Sequence, residues 1–116
     1  IKTARRRLMG IYAGNSPFTG RLGIQIEPER TPLGVCTSSG TVGHSLSFGR
    51  TDAAVIISKW TALADAVATA TGNRVKTEDD IQKAVDFARS IEGVEGVVVI
   101  IGKKIGVWGK IEIVKT

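Results

Sequence analysis

Two segments with helical character follow one another in the middle of the chain, and segments with strand character stand on both sides of them. The first helix is predicted from Trp60 to Thr71, with Gly72-Asn73 as the pair that ends it, and the second from about Thr77 to Ile91. Apolar residues of the second helix recur every three or four positions, as in a helix packed on a sheet. Strands before and after two consecutive helices predict an α+β layered fold with a mixed or antiparallel sheet, rather than alternating βαβ units.

The strand segments differ in how deeply they should be buried. The run Ala53 to Ile57 is apolar throughout, which is typical of a strand covered on both faces. Gly102-Lys103-Lys104 and Gly109 are expected to turn the chain near its end, and no strand is predicted in the glycine-rich segment from Gly34 to Gly49. The six predicted strands are Arg7 to Ala13, Leu22 to Glu27, Ala53 to Ile57, Val97 to Ile101, Ile105 to Trp108 and Lys110 to Val114.

The length and apolar content of the chain allow one domain with its own core. The chain has 116 residues, of which 42% are hydrophobic, and a domain of this size buries enough surface to fold. It begins at Ile1, inside a predicted strand and without an initiator Met. We therefore expect residues 1–116 to be a single domain or the C-terminal part of a larger one. In the second case, the N-terminal part of the same protein or a partner chain would complete the fold.

Charge, aromatic content and cysteine count limit which ligands the chain could bind and in which compartment it would be found. The net charge is +5, and Arg5 to Arg7 form a basic cluster that could serve phosphate or nucleic acid. Aromatic residues make up only 5% of the chain, too few for a base-stacking surface, so nucleic acid is disfavoured. The single Cys36 excludes an intrachain disulfide and points to a reducing, cytoplasmic compartment. No run approaches the ~18 consecutive apolar residues of a membrane span. The sequence also allows the chain to form a homo-oligomer.

Hydroxyl side chains and the only histidine are concentrated in the glycine-rich segment. Thr37, Ser38, Ser39, Gly40 and Thr41 could present hydroxyls and backbone amides to an anion or cofactor. His44 follows between a glycine and a serine, where imidazole could act as a base or a phosphate partner. The alternative is a surface-loop histidine without a catalytic role. The segment lacks the Gly-Lys-Ser/Thr ending of a Walker A loop.

Asp65 and Thr69 form the second group of candidate site residues. They stand four positions apart in the first predicted helix, so their oxygens face the same way. A carboxylate and a hydroxyl are hard oxygen ligands of the kind that Mg²⁺ prefers. The alternative is structural, with Asp65 compensating the helix dipole and Thr69 bonding back to a main-chain carbonyl.

Three motifs resemble the ApbE-like superfamily, and the resemblance runs over nearly all of the chain. They are Thr37 to Gly40, Gly43 to Gly49 and Ala64 to Ala70, and the match is best to an uncharacterised ApbE-related branch. ApbE proper is an FAD:protein FMN transferase, which cleaves FAD at its pyrophosphate with Mg²⁺. The resemblance implies Asp65 and Thr69 as metal ligands, Ser38, Ser39 and Gly40 in the flavin pocket, and His44 as the catalytic histidine.

The chain departs from that family at two places. The family's catalytic histidine opens a His-Ile-x-Asp-Pro-x-x-Gly motif, whereas His44 is followed by Ser-Leu-Ser-Phe. The glycine-rich flavin-binding segment that the family carries further upstream is not among residues 1–116. Two functions therefore remain open. One is an Mg²⁺-dependent enzyme acting on a flavin or related nucleotide, with His44 as the base. The other is a non-catalytic ligand-binding or assembly module of the same fold.

Overall fold

The computed structural model describes residues 7–10, 22–26, 34–38, 51–109 and 111–115, and these residues form seven strands and two α-helices. A single 3₁₀ turn, Glu78–Asp80, leads into the second helix. The described part of the chain therefore has the predicted α+β composition. In chain order the elements are β1 (Arg7–Gly10), β2 (Leu22–Ile26), β3 (Gly34–Ser38), β4 (Ala53–Ser58), α1 (Thr61–Gly72), α2 (Ile81–Arg89), β5 (Val94–Ile101), β6 (Lys104–Gly109) and β7 (Glu112–Lys115).

The elements form three layers, with a four-stranded antiparallel sheet in the middle. Its strand order is β3-β4-β5-β6, and a three-stranded antiparallel sheet has the order β1-β2-β7. Helix α1 packs over β3 and β4, and helix α2 packs over β5 and β6. Residues of β2 share a second apolar core with β4 and β5. The central sheet is thus covered by helices on one face and by the smaller sheet on the other.

Strands β4 and β5 send alternate side chains into the two cores. Ile56 and Val97 join the core under the helices, whereas Val55 and Val98 join the core under the smaller sheet. Successive strand residues point to opposite faces, so a strand covered on both sides needs apolar residues at every position. This confirms the prediction from the uninterrupted apolar run, since every residue of β4 is buried.

Glycines turn the chain at the two places expected near its end. Gly102 has φ +56° at the first central position of the two-residue turn between β5 and β6, as a type II′ turn requires. Gly109 has φ +94° where the chain leaves β6 for β7, and its carbonyl accepts a hydrogen bond from the Ile111 amide at 2.9 Å. L-residues with side chains rarely adopt these backbone angles.

Helix α1 ends at Gly72 as predicted, but without a left-handed glycine. Gly72 is not among the described glycines with positive φ, and Asn73 keeps a right-handed helical conformation. The carbonyl of Gly72 accepts hydrogen bonds from the Thr51 hydroxyl at 2.6 Å and the Val75 amide at 3.3 Å. Because the distant Thr51 hydroxyl and the nearby Val75 amide satisfy this carbonyl, a left-handed glycine cap is not needed.

The second helix begins near Thr77 as predicted, and its first turn is the 3₁₀ segment. The carboxylate of Asp80 accepts hydrogen bonds from the amides of Lys76, at 2.9 Å, and Thr77, at 3.2 Å. These two bonds hold the pKa of Asp80 below its ordinary value, because they favour the charged carboxylate. Asp80 thus fixes the point at which the chain enters α2.

Strand β3 was not predicted, because Gly34 to Ser38 was assigned to the glycine-rich segment. Its register pairs Gly34 with Ser58 and Ser38 with Ala54. A Cβ on Gly34 would lie only 2.6 Å from the Cα of Thr61, so glycine allows α1 to approach the strand closely. The strand exists because β4 and α1 provide its partners, which local sequence cannot reveal. No helix in the described residues is long and apolar enough to cross a membrane.

Candidate functional site

Helix α1 lies alongside the edge strand β3, and its direction decides which residues meet. Its first residue, Thr61, lies against Gly34 at the start of β3, and its carbonyl oxygen is 3.7 Å from the Cys36 sulfur. Its last residue, Gly72, is bonded to Thr51, just before β4. Because β3 and β4 are antiparallel, α1 and β3 run in the same direction. Later residues of α1 therefore lie towards the Ser38 end of the strand.

Asp65 and Thr69 are exposed and stand one turn apart on α1. The Thr69 hydroxyl donates a hydrogen bond to the main-chain carbonyl of Asp65 at 3.2 Å, which is the structural role considered for it from the sequence. A hydroxyl that donates its hydrogen retains lone pairs that can accept a hydrogen bond or bind a cation. The Asp65 carboxylate has no hydrogen-bond or ion-pair partner among the described residues. Within the described part of the chain, both oxygens are thus accessible to a ligand.

Cys36 lies near Asp65 and is a poor nucleophile. Burial raises the pKa of its thiol, and the negative charge of Asp65 raises it further. The thiol bonds weakly to the Thr61 carbonyl. Since the thiolate is the reactive form, Cys36 stays protonated near neutral pH.

The end of β3 is level with the part of α1 that carries Asp65 and Thr69. Four helix residues advance by about 6 Å and two strand residues by about 6.6 Å. With Gly34 beside Thr61, this places strand position 38 beside helix position 69. Ser38, where the chain leaves β3, is therefore level with Thr69, and Asp65 is level with Cys36 two residues earlier. Their proximity could not be read from the sequence, which separates them by about thirty positions.

Only part of the predicted anion-binding segment falls in the described structure. Thr37 is exposed and, by strand alternation, lies on the face of β3 opposite Cys36. Ser38 is described as the last residue of the strand. The predicted residues Ser39, Gly40, Thr41 and His44 lie outside the described residues.

Three buried polar residues, Thr51, Asp52 and Thr71, lie near the start of β4, in a cluster that was not predicted from the sequence. Asp52 is 8% exposed, and its carboxylate accepts a hydrogen bond from the Gly102 amide at 2.7 Å, which ties the β5–β6 turn to β4. Thr51 and Thr71 are both fully buried, and the Thr71 hydroxyl has no hydrogen-bond partner in the described structure. The sequence signal for Thr71 was its place seven residues after Ala64, in the buried stripe of α1.

The two oxygen donors on α1, from Asp65 and Thr69, suit a magnesium ion whose remaining ligands are waters and phosphate oxygens. The described residues contain no group of three His, Cys, Asp or Glu side chains that could form a complete metal cage. Mg²⁺ is commonly bound through one or two carboxylates and keeps waters and ligand phosphates in its remaining positions. Asp65 and Thr69 could supply such a partial set, whereas zinc would need nitrogen or sulfur ligands.

Comparisons with known proteins identify relatives described as UPF0280 proteins. The chain is 52% identical over 104 residues to a UPF0280 protein of Methanocella arvoryzae, which is 90% of this chain and 42% of the relative. It is 44% identical over 122 residues to a UPF0280 protein of Methanocaldococcus jannaschii, which is all of this chain and 50% of the relative. A UPF0280 protein of Methanosarcina acetivorans is 47% identical over 108 residues, covering 92% of this chain and 42% of that protein. The chain thus spans about half the length of these curated relatives, or slightly less.

A family model covers almost the whole chain. Residues 1–113 match the family described as "AbpE bacteria". The match includes every described element up to β7 as well as the three motifs on which the resemblance rested. The chain therefore belongs to this ApbE-related family.

Proposed function

We propose that this domain binds a flavin or related nucleotide through its pyrophosphate, together with Mg²⁺, at the junction of α1 and the end of β3. The observation that carries the proposal is a pair of exposed oxygens on α1: the Asp65 carboxylate, which has no hydrogen-bond or ion-pair partner among the described residues, and the Thr69 hydroxyl, which is level with the end of β3. Membership of an ApbE-related family supports the choice of a flavin ligand.

Each group in this arrangement has a distinct task. When bound, Mg²⁺ neutralises charge on a pyrophosphate and so favours cleavage of the phosphoryl bond. Asp65 and Thr69 would hold it, because both present hard oxygen atoms. Ser38 and the following residues to Thr41 would bind phosphate or ring edges through amides and hydroxyls, whereas Thr37 faces the side of β3 away from α1. His44 would accept the proton of the hydroxyl that receives the transferred group.

A second candidate function is binding of the same kind of ligand without turnover. It is favoured by the residues after His44, where Ser-Leu-Ser-Phe replaces the Asp-Pro of the resembled motif. A missing acidic residue beside the histidine would weaken catalysis more than it weakens binding. Under this reading Asp65 and Thr69 keep their role, and His44 contacts phosphate only.

The metal assignment is tested by titrating FAD into the protein by calorimetry, with Mg²⁺ and with EDTA. We expect affinity for FAD to fall at least about tenfold when Mg²⁺ is removed, and Asp65→Asn to bind equally weakly with and without Mg²⁺, since its charge is lost. The matched control is Asp79→Asn, which removes an exposed carboxylate from the 3₁₀ turn before α2. Full Mg²⁺-dependent affinity in Asp65→Asn would refute the assignment.

Further measurements separate misfolding and turnover from loss of the metal. Circular dichroism and the urea midpoint show whether Asp65→Asn is folded, and in the folded variant the pKa of Cys36, read from the pH dependence of its alkylation, should fall, because the carboxylate that raises it is gone. A lower pKa in a folded variant shows that Asp65 occupies the described position. Chromatography of the reaction with FAD then distinguishes the two functions: AMP formed in many turnovers supports an enzyme, and none supports a binding module.

A further inference from the structure

Strand β6 ends the four-stranded sheet in the described part of the chain, and it exposes apolar side chains there. Ile105 is 37% exposed and Val107 is 47% exposed. The two residues between and beyond them point the other way, since Gly106 packs against α2 and Trp108 joins the core under the helices. The exposed apolar surface is therefore confined to one face of β6.

Cover by the smaller sheet stops at this strand. The register pairs Ile105 with Ile100 and Val107 with Val98, so these four side chains lie on the same face. Ile100 and Val98 are fully buried beneath the smaller sheet. The same continuous apolar surface is thus covered by the smaller sheet at β5 and exposed at β6.

The backbone groups of β6 that have no strand partner in the described part of the chain belong to the same two residues. In a hairpin with a two-residue turn, the closing pair Ile101–Lys104 is hydrogen-bonded, and hydrogen-bonded pairs then alternate along the ladder. Gly106 and Trp108 consequently direct their amide and carbonyl groups towards β5. Ile105 and Val107 direct theirs outwards. An incoming strand would gain main-chain hydrogen bonds and apolar contacts at the same positions.

Two observations bear on what occupies this edge. The curated relatives contain about as much chain again as the part that matches here. A second copy pairing through β6 is opposed by charge, because Lys103 and Lys104 at one end of the strand and Lys110 after the other end are all basic, and β6 contains no acidic residue. Antiparallel self-pairing would bring these like charges together.

We propose that the β6 edge, formed by Ile105 and Val107, is where a β-strand from the remaining half of the family's polypeptide joins the four-stranded sheet. That strand would place apolar side chains over Ile105 and Val107, and acidic residues near the Lys103-Lys104 turn would favour its binding. The inference concerns assembly of the fold and does not depend on the proposed ligand.

The test is amide hydrogen exchange by NMR on this chain and on the full-length Methanocella arvoryzae relative. In this chain we expect slow exchange at Gly106 and Trp108 and fast exchange at Ile105 and Val107. In the relative, the amides at all four matching positions should be slow, with those matching Ile105 and Val107 slowed on the order of 100-fold. Equally fast exchange at those two positions in the relative would overturn the proposal. So would protection that disappears on dilution together with a dimer mass in light scattering, because the occupant would then be a second copy.

A charge substitution provides an independent test in a chimaera in which this chain replaces the matching segment of the same relative. Val107→Lys should abolish the added protection at position 105, because a lysine there cannot be covered by an apolar strand. The control Ala62→Lys places the same charge on an exposed position of α1, which packs over the opposite side of the sheet, and should leave the protection unchanged. Equal protection in both variants would contradict the proposal.

Discussion

The same isosteric substitution should have opposite effects at two buried threonines near the end of α1. Thr51 and Thr71 are both fully buried. The Thr51 hydroxyl donates to the Gly72 carbonyl at 2.6 Å, whereas the Thr71 hydroxyl has no partner in the described structure. Valine replaces the hydroxyl with a methyl group of similar size and keeps the β-branch, so packing and backbone preference change little.

The expected magnitudes follow from the partners of each hydroxyl. In Thr51→Val the Gly72 carbonyl keeps the Val75 amide as a donor, so it is not left without a partner. The free energy of unfolding should therefore fall by about the net value of a hydrogen bond, at least about 1 kcal/mol, and not by a full desolvation penalty. In Thr71→Val an unpaired buried hydroxyl disappears, which should stabilise the fold by about 1–2 kcal/mol. The two variants should differ by about 2–3 kcal/mol.

Urea unfolding followed by circular dichroism measures both differences, and thermal unfolding should separate the two melting temperatures by about 10 °C. Thr69→Val is a suitable control, since its hydroxyl bonds to Asp65 at an exposed site and its loss should cost less than about 0.5 kcal/mol. Destabilisation by Thr71→Val as large as that by Thr51→Val would refute the reasoning, because the Thr71 hydroxyl would then have a partner such as a buried water.

Two further predictions concern packing and pH. Gly106→Ala should destabilise the protein by about 1–3 kcal/mol in urea unfolding, because its Cβ would lie 2.5 Å from a side-chain carbon of α2. The control Gly10→Ala should be neutral or slightly stabilising, because a Cβ on Gly10 would have nothing within 4 Å. An unaltered midpoint in Gly106→Ala would show that α2 and β6 are less closely packed than described. Asp80→Asn should lower stability at neutral pH, because the folded protein lowers the pKa of Asp80. That contribution is present above the ordinary pKa of 3.8 and is lost as pH falls through the folded value. Urea midpoints at several pH values should therefore converge between the variant and the unaltered protein in acid, and a gap independent of pH would contradict this account.

Much of the fold could be predicted from the residue pattern alone, because the local sequence of several elements indicates their type and burial. The apolar run of β4 predicted a strand buried on both faces, and its burial confirms this. Gly102 and Gly109 predicted the two turns near the end of the chain, where positive φ favours glycine. Helix α2 was predicted from its apolar spacing, since its buried residues recur at three and four positions.

The candidate site was predicted as two separate lists of residues, and only part of it lies within the described structure. Spacing placed Asp65 and Thr69 on one helical face, and they do lie one turn apart. Spacing alone could not show that the Thr69 hydroxyl bonds to the Asp65 carbonyl, because that depends on the rotamer. The roles of His44 and of the Thr37–Thr41 segment remain predictions.

By itself, the sequence determined the α+β class, the positions of most elements and the family, because these depend on local pattern and on matching motifs. Only the tertiary structure decided that Gly34–Ser38 is a strand, since its stability comes from β4 and α1 rather than from its own residues. It also decided that α1 begins against the start of β3, with Thr61 beside Gly34, and that β6 ends the four-stranded sheet in the described part of the chain with two exposed apolar side chains. Such relations join residues far apart in the chain, and they are set by how sheets and helices pack rather than by any local preference.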